Sequence, residues 1–260
     1  MKKDTVSATS SIFNASGSDQ KTGNHMIGKK KVSVIIPSAG VGKRMGMLPG
    51  GMGKQFIDLQ GSPLISHTIR KFEGSRYVDE IIVVCPPDIV HYVKKDIVET
   101  YQFTKVRSIV PGGKERQDSV YAGFKNLNRT DMVLVHDGVR PFVRTEKIDE
   151  LIEVCSISGA ALLAVRVKDT VKMQDAEQNV KVTLDRSVLW NVQTPQAFDY
   201  EILEQAFDKA RGEFFYGTDE GMLVEKLGTK IRIVEGDYDN IKITTPDDLL
   251  FAEYILNKAK

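Results

Sequence analysis

The stretch VSVIIP (Val32–Pro37), followed by SAGVGKRMGMLPGGMGK (Ser38–Lys54), decides the fold. The first piece is an unbroken run rich in β-branched residues, which is typical of a strand buried on both faces of a parallel sheet. The second piece holds six glycines in 17 residues, together with Lys43, Arg44 and Lys54. Glycines after such a strand let backbone N–H groups approach phosphate oxygens, and the cations neutralise the charge. This stretch therefore predicts a nucleotide-phosphate site on an α/β sheet.

Two common phosphate-loop motifs do not fit this loop. A Walker A loop ends in Gly-Lys-Ser/Thr, whereas Lys54 is followed by Gln55. The dinucleotide fingerprint G-x-G-x-x-G fits Gly40 and Gly42 but then meets Met45. The loop is therefore a phosphate site of another kind, and a flexible loop without a ligand remains the alternative.

Further apolar runs alternate with helical patterns along the chain. The other predicted strands are Ile81–Cys85, Val106–Val110, Met132–Val135 and Ala160–Val165. The predicted helices are Pro63–Glu73, Asp88–Tyr101, Gln117–Leu127 and Thr145–Ser156. This alternation predicts an α/β fold with a Rossmann-like, mostly parallel sheet and helices on both faces. No linker divides the chain, so we interpret residues 28–260 as a single domain.

Two segments depart from the alternation. Residues 1–27 are rich in Ser, Thr, Asn and Gly and have no periodicity, which predicts a disordered extension or a tag. They contain no arginine, which argues against a plastid transit peptide and favours a cytoplasmic location. Residues 168–187 are polar, with β-like pieces at Thr170–Met173 and Val180–Leu184 around a turn. They predict a projecting hairpin, either a plain surface hairpin or a dimerisation arm.

The composition excludes several functional classes. Lys and Arg number 36 and Asp and Glu 35, so no overall basic field favours nucleic-acid binding. Every apolar run is far shorter than the roughly 18–20 residues that a membrane-spanning helix needs. Cys85 and Cys155 are far apart in apolar runs, which fits neither a disulfide framework nor a zinc site. We therefore predict that both cysteines are small buried side chains and that the protein works in a reducing compartment.

The segment PGGKERQDSV follows the predicted strand Val106–Val110. Gly112 and Gly113 permit a tight turn, and Asp118 and Ser119 open a helix whose polar groups could face a base or a ribose. A capped helix start without a ligand is the alternative interpretation.

The segment HDGVRPF follows the predicted strand Met132–Val135. Asp137 stands at the carboxyl end of the strand, a place suited to a metal beside phosphates, and Arg140 could hold a phosphate with two hydrogen bonds. A turn started by Asp137 is the alternative. His136 is interpreted as structural, because no Ser or Cys nucleophile pairs with it.

In combination these segments resemble the 2-C-methyl-D-erythritol 4-phosphate cytidylyltransferase family. The resemblance covers roughly residues 32–258 in the order of the family, and its motifs are PSAGVGKRMG, KQF, GGKERQDSV, VLVHDGVRPF, VKDTVK, LWNVQTPQAF, TDEGMLVE and DNIKITTPDDL. It implies a nucleotidyltransferase fold and a Mg²⁺-dependent reaction of CTP with methylerythritol phosphate, a small sugar-alcohol phosphate. It also implies a homodimer, and it implies no nucleic-acid or membrane partner.

The resemblance also implies roles for individual residues. Those expected to bind CTP are Ser38, Ala39, Gly40, Gly42, Arg44, Lys54, Gly112, Gly113, Arg116, Asp118, Ser119, Asp137 and Gly138. Those expected to bind the sugar phosphate are Asp137, Arg140, Thr170, Arg186, Thr194 and Lys242, with Arg186 reaching the site of the neighbouring subunit. The expected catalytic cations are Arg44, Lys54 and Lys242, and the expected metal ligands are Asp137 and Asp239.

Two positions depart from the family pattern. Gly53 stands where members usually have proline, and Gly138 stands where alanine is common, which we interpret as a minor change. Two alternative functions remain at this level: a ribitol-5-phosphate cytidylyltransferase, and a non-catalytic nucleotide-binding protein on the same fold. The presence of Arg44, Lys54, Asp137 and Lys242 speaks against the second.

Overall fold

The computed structural model describes residues 30–40 and 52–258. Its strands are β1 Val32–Pro37, β2 Val78–Cys85, β3 Val106–Pro111, β4 Met132–Val135, β5 Ala160–Arg166, β6 Lys172–Gln174, β7 Val180–Thr183, β8 Trp190–Asp199 and β9 Arg232–Glu235. Its helices are α1 Leu64–Glu73, α2 Val90–Tyr92, α3 Arg116–Lys125, α4 Thr145–Ser158, α5 Tyr200–Gly212, α6 Glu220–Glu225 and α7 Pro246–Lys258. A π-helix, Val93–Glu99, continues α2.

Seven strands form one sheet in the order β3-β2-β1-β4-β8-β5-β9. The pairs β1–β2, β1–β4, β2–β3 and β5–β9 are parallel, and only β8 runs against its neighbours β4 and β5. The strands β6 and β7 form a separate antiparallel hairpin between β5 and β8 in the chain. Because β2 and β4 lie on opposite sides of β1, the sheet has its switch point there, where α/β proteins form ligand crevices.

The continuous apolar runs are explained by burial on both faces of the sheet. Val34 and Ile36 of β1 belong to the cluster under α1 and α4, which contribute Phe72 and Ile152. Ile35 belongs to the opposite cluster under α3, α5 and α6. Each such side chain, fully buried, stabilises the fold by about 1.5–3 kcal/mol. None of the helices within residues 30–40 and 52–258 is long and apolar enough to cross a membrane.

The fold predicted from the sequence is confirmed, and so are its five strands, with small differences in their bounds. The projecting hairpin is also present, with strands shorter than the predicted pieces. Two strands, β8 and β9, were not predicted. The helix predicted at Gln117 begins one residue earlier, at Arg116.

Candidate active site

A cavity of about 370 Å³ opens at the carboxyl ends of β1, β3 and β4. Its lining residues come from the loops after these strands, from the start of α3 and from the segment before α7. They are Pro37, Ser38, Ala39, Gly40, Lys54, Gln55, Gly113, Lys114, Glu115, Arg116, Ser119, Asp137, Val139 and Lys242. The cavity therefore lies at the switch point of the sheet, as the glycine-rich stretch predicts.

The described residues on either side of the glycine-rich segment are held by backbone and side-chain bonds. The Ser38 N–H donates to the carbonyl of Val84 at 2.7 Å, and the buried Gln55 amide donates to the carbonyl of Ser38. Gly53 has φ −69° and ψ 158°, and this φ lies within the range that proline imposes. Glycine in place of the usual proline therefore leaves the backbone beside Lys54 in a proline-like conformation.

The loop after β3 is closed by the start of α3. The Gly113 N–H donates to Ser119 Oγ at 3.1 Å, and the Gly112 N–H donates to the carbonyl of Cys85 at 2.8 Å. Glu115 and Asp118 form a reciprocal capping box at the start of the helix. Asp118 thus caps α3, which favours the alternative interpretation of this residue, whereas Gly113 and Ser119 line the cavity.

Asp137 lies at the centre of a cluster of cations. Its carboxylate is 2.9 Å from Lys242 Nζ, 3.2 Å from Arg116 Nε and 3.5 Å from Arg140 Nε. Burial alone would raise the pKa of Asp137, but the three positive charges outweigh it and hold the pKa far below its usual range. The cavity therefore contains a carboxylate that stays ionised and an excess of positive charge around it.

Hydrogen bonds bring the loop that carries Lys242 to the end of β4. The Ile243 N–H donates to the carbonyl of Val139 at 2.9 Å, and Arg140 Nη1 donates to the carbonyl of Asn240 at 2.8 Å. The buried Asn240 amide donates in turn to the carbonyl of Thr194 in β8 at 3.0 Å. These bonds place Lys242 beside Asp137, which precedes it by about a hundred residues in the sequence.

Thr194 and His136 support Asp137 from behind. The Thr194 hydroxyl accepts from the Asp137 N–H at 3.0 Å and lies 3.1 Å from His136 Nδ1. The other ring nitrogen of His136 lies 2.9 Å from the carbonyl of Arg140. Complete burial lowers the pKa of His136 to about 4, so the ring is neutral. The geometry gives His136 a structural role and places the Thr194 side chain behind Asp137, outside the cavity lining.

Some predicted site residues lie elsewhere. Among the described residues, Thr170 and Arg186 are exposed on the arm, and the Arg186 guanidinium donates to the carbonyl of Lys168 at 2.7 Å. Asp239 pairs with Lys258 at 3.5 Å and does not line the cavity. Gly42, Arg44 and residues 1–27 lie outside the described residues.

Three polar residues that line the cavity and one acid beside it were not predicted from the sequence as site residues. They are Gln55, Lys114, Glu115 and Glu220. The first three belong to the motifs KQF and GGKERQDSV, so their position in those motifs was an available signal. Glu220 belongs to TDEGMLVE, and it reaches the site only through the packing of α6, which no local pattern indicates.

The structure corrects the interpretation of Gly138 as a minor change. A Cβ at this position would meet the Ser38 hydroxyl and approach Ser38 Cβ to 3.2 Å and Ile36 Cγ2 to 3.3 Å. The backbone cannot retreat easily, since the carbonyl of Gly138 accepts from Thr68 Oγ1 at 3.0 Å. Glycine at 138 therefore accommodates serine at 38, whose buried hydroxyl has no hydrogen-bond partner among the described residues.

Gly138→Ala is expected to lower the free energy of unfolding by about 1–3 kcal/mol, the usual cost of overpacking. In a Ser38→Ala background the same change should cost markedly less, because the hydroxyl that the new Cβ meets is absent. Urea unfolding of the four proteins measures this coupling, with Ser38→Ala alone as the control. If Gly138→Ala lowered the free energy of unfolding equally in both backgrounds, the inferred contact between positions 38 and 138 would be contradicted.

A family model described as 2-C-methyl-D-erythritol 4-phosphate cytidylyltransferase matches residues 32–258. A protein of that name from Halalkalibacterium halodurans is 46% identical over 224 residues, which cover 86% of this chain and 96% of the relative. Another, from Shouchella clausii, is 48% identical over 226 residues, which cover 87% and 96% respectively.

Solved structures give the same result. The crystal structure of 4-diphosphocytidyl-2C-methyl-D-erythritol synthase from Anaerococcus prevotii matches with a TM-score of 0.78 at 35% identity, covering 88% of this chain and 96% of that chain. The crystal structure of 2-C-methyl-D-erythritol 4-phosphate cytidylyltransferase from Thermus thermophilus matches with a TM-score of 0.71 at 30% identity, covering 87% and 99%. The family match over residues 32–258 includes every described residue that lines the cavity.

Proposed function

Since the chain belongs to the 2-C-methyl-D-erythritol 4-phosphate cytidylyltransferase family, we infer that its cavity joins CTP to 2-C-methyl-D-erythritol 4-phosphate. The products are 4-diphosphocytidyl-2C-methyl-D-erythritol and pyrophosphate, and the enzyme is a nucleotidyltransferase of isoprenoid precursor synthesis. The observation that carries this function is the placement of Lys54, Arg116 and Lys242 around one cavity at the switch point of the sheet. Such a cavity suits a triphosphate and a second phosphate.

We propose that CTP lies along the loops after β1 and β3. Ala39 and Gly40 line the cavity, and we propose that their backbone N–H groups bind phosphate oxygens, whereas the Ser38 N–H is already bonded to Val84. Gly113 and Ser119, where α3 begins, suit the base and the ribose. Lys54, with Arg44 outside the described residues, supplies positive charge for the triphosphate.

The reaction needs positioning and charge stabilisation rather than a protein nucleophile. A phosphate oxygen of the sugar phosphate attacks the α-phosphorus of CTP, and the bond from that phosphorus to the bridging oxygen breaks as pyrophosphate leaves. Lys242 lines the cavity beside Asp137, and Arg140 contacts the same carboxylate, so we propose that these two cations hold the attacking phosphate. Held cations of this kind bring two anions together and stabilise the charge that develops.

We propose Mg²⁺ as the divalent cation, with Asp137 as its protein ligand. The Asp137 carboxylate is ionised and lines the cavity, and Mg²⁺ typically takes one or two carboxylates together with substrate phosphates. The described part of the chain holds no group of three or more His, Cys, Asp or Glu residues placed to bind a metal, which favours a site shared with CTP. Asp239 fits less well, because it pairs with Lys258 outside the cavity. When bound, the ion would neutralise charge on the phosphates.

We propose that the hairpin of β6 and β7 is a dimerisation arm. It exposes Met173, Val180 and Val182, and an isolated hairpin is only marginally stable in water. A two-fold interface would bury both arms at once. Thr170 and Arg186, which lie outside the cavity of their own chain, would then serve the site of the neighbouring subunit.

We also propose a cytoplasmic location. Cys85 and Cys155 are both buried and free, as expected in a reducing compartment. The net charge of +1 favours small anionic substrates at a local site over nucleic acid.

The acceptor is tested with the purified full chain, CTP and Mg²⁺. Methylerythritol phosphate, ribitol 5-phosphate and glycerol 3-phosphate are supplied in separate reactions, and pyrophosphate release is followed. We expect release with methylerythritol phosphate at a kcat/KM far above that for the other two. Preference for ribitol 5-phosphate, or CTP binding without release for any acceptor, would overturn the proposed function.

Lys242→Ala should raise KM for methylerythritol phosphate about tenfold or more, because a hydrogen bond to a charged group contributes about 1.5–3 kcal/mol. KM for CTP should change less, since the triphosphate is held mainly by the first loop. Steady-state kinetics with each substrate varied in turn measure both constants. Lys258→Ala, which removes a lysine paired with Asp239 outside the cavity, is the matched control. Equal increases in both KM values would argue against separate subsites.

A further inference from the structure

Glu220 is a buried acid beside the cavity, and it has no part in the reaction proposed for CTP and the sugar phosphate. It is the first residue of α6, and its side chain is 1% exposed. Its carboxylate receives three hydrogen bonds from Arg116, at 2.8, 3.0 and 3.0 Å, from both terminal nitrogens of the guanidinium. Burial raises the pKa of Glu220, and the charge of Arg116 opposes that shift.

Arg116 connects this acid to the cavity. Its Nε lies 3.2 Å from Asp137, so the guanidinium is held between two buried carboxylates. The side chain of Arg116 lines the cavity and is 30% exposed. Arginine has five N–H donors, and these bonds leave at least one of them for a ligand within the described structure.

Glu220 is itself held rigidly. The buried Gln196 of β8 donates to Asp219 Oδ2 at 2.8 Å and accepts from the Gly221 N–H at 2.9 Å. Asp219 also caps α6 by accepting from the Met222 N–H at 2.9 Å. The Gln196 side chain thus binds the residues on both sides of Glu220, which restricts the movement of the Glu220 carboxylate beside Arg116.

We propose that Glu220 is a positioning residue that holds the Arg116 guanidinium in the orientation that binds the nucleotide. The proposal rests on the function proposed for this cavity. Without the Glu220 carboxylate, Asp137 is the remaining acidic partner of Arg116 among the described residues. The guanidinium would then rotate and bind the Asp137 carboxylate through two nitrogens instead of one. Arg116 lies beside Gly113 and Ser119, so its reorientation affects CTP before it affects the sugar phosphate.

The test is CTP binding by calorimetry without the sugar phosphate, followed by steady-state kinetics. Glu220→Gln should weaken CTP binding about tenfold, the effect of losing one charge-assisted contact, with KM for the sugar phosphate nearly unchanged. Glu220→Asp keeps the negative charge on a side chain that is one methylene shorter, and it should recover part of the affinity for CTP. Glu225→Gln removes an exposed acid at the other end of the same helix and serves as the control.

A double-mutant cycle separates positioning from general stability. If Glu220 acts through Arg116, Glu220→Gln combined with Arg116→Lys should bind CTP no more weakly than Arg116→Lys alone. Additive losses, or unchanged CTP affinity in a folded Glu220→Gln protein, would overturn the positioning role. Should Glu220→Gln fail to fold, as judged by thermal unfolding, the same comparison is made with Glu220→Asp. CTP binding by the unsubstituted protein, with pyrophosphate release, shows that any such failure concerns Glu220 rather than the proposed function.

Discussion

Replacing Lys54 by alanine should lower kcat by about 10²–10³, the effect of removing one preorganised donor from a developing negative charge. Lys54 lines the cavity next to the loop after β1, where we propose that the triphosphate binds. Negative charge develops on the α-phosphate oxygens and on the leaving pyrophosphate as the second phosphate attacks, so the lysine contributes more to the transition state than to the bound substrates. Arg44, ten residues earlier in the glycine-rich loop, should show a loss of similar size.

Pyrophosphate release at saturating CTP and sugar phosphate measures this effect. Lys30→Ala is the matched control, because Lys30 pairs with Asp199 outside the cavity. Near-normal turnover of Lys54→Ala, in a protein whose thermal unfolding is unchanged, would contradict the proposed role of the first loop.

Arg186→Ala should abolish most of the activity without dissociating the proposed dimer, and mixing with Lys54→Ala chains should restore part of that activity. Arg186 lies on the arm and outside its own cavity, so we propose that it acts on the sugar phosphate of the neighbouring subunit. Its planar guanidinium can hold a phosphate with two hydrogen bonds. In a hybrid of Arg186→Ala and Lys54→Ala chains, one site then carries both changes and the other carries neither.

In the experiment the two inactive variants are unfolded together and refolded. Random pairing makes half of the dimers hybrids with one intact site each, so about a quarter of the normal activity should return. Each variant refolded alone is the control. If Arg186 acts within its own chain, every hybrid site keeps one change and activity stays low. That result, or a monomer by light scattering at the assay concentration, would argue against a shared site.

The central strands were predictable because both of their faces are buried. Met132–Val135 is an unbroken apolar run, and Val32–Pro37 is interrupted only by Ser33, so a buried strand is the local structure that fits both best. The strand β8 escaped prediction because it contains Pro195, and β9 because three of its four residues are exposed. In both cases pairing across the sheet, rather than local preference, makes the strand.

The candidate site was predictable where it consists of chain segments that follow strands. The loops holding Ser38, Gly113 and Asp137 follow directly from the alternation of strands and helices. The partners of Asp137 did not follow from it, because Arg116 and Lys242 come from distant parts of the chain. The family resemblance supplied Lys242, but only the packed structure shows that it neutralises a buried carboxylate.

The place of β8 between β4 and β5 in the sheet governs when the sheet can close as the chain is synthesised. The strands β5 and β9 join the rest of the sheet only through β8, and β8 pairs with a β4 that ends about 60 residues before it is complete. At about 5–20 residues per second, β4 remains an open edge for several seconds on the ribosome. An open apolar edge is a template for pairing with another chain. The arm lies within this interval, so its residues lengthen the time for which the nascent chain needs protection from aggregation.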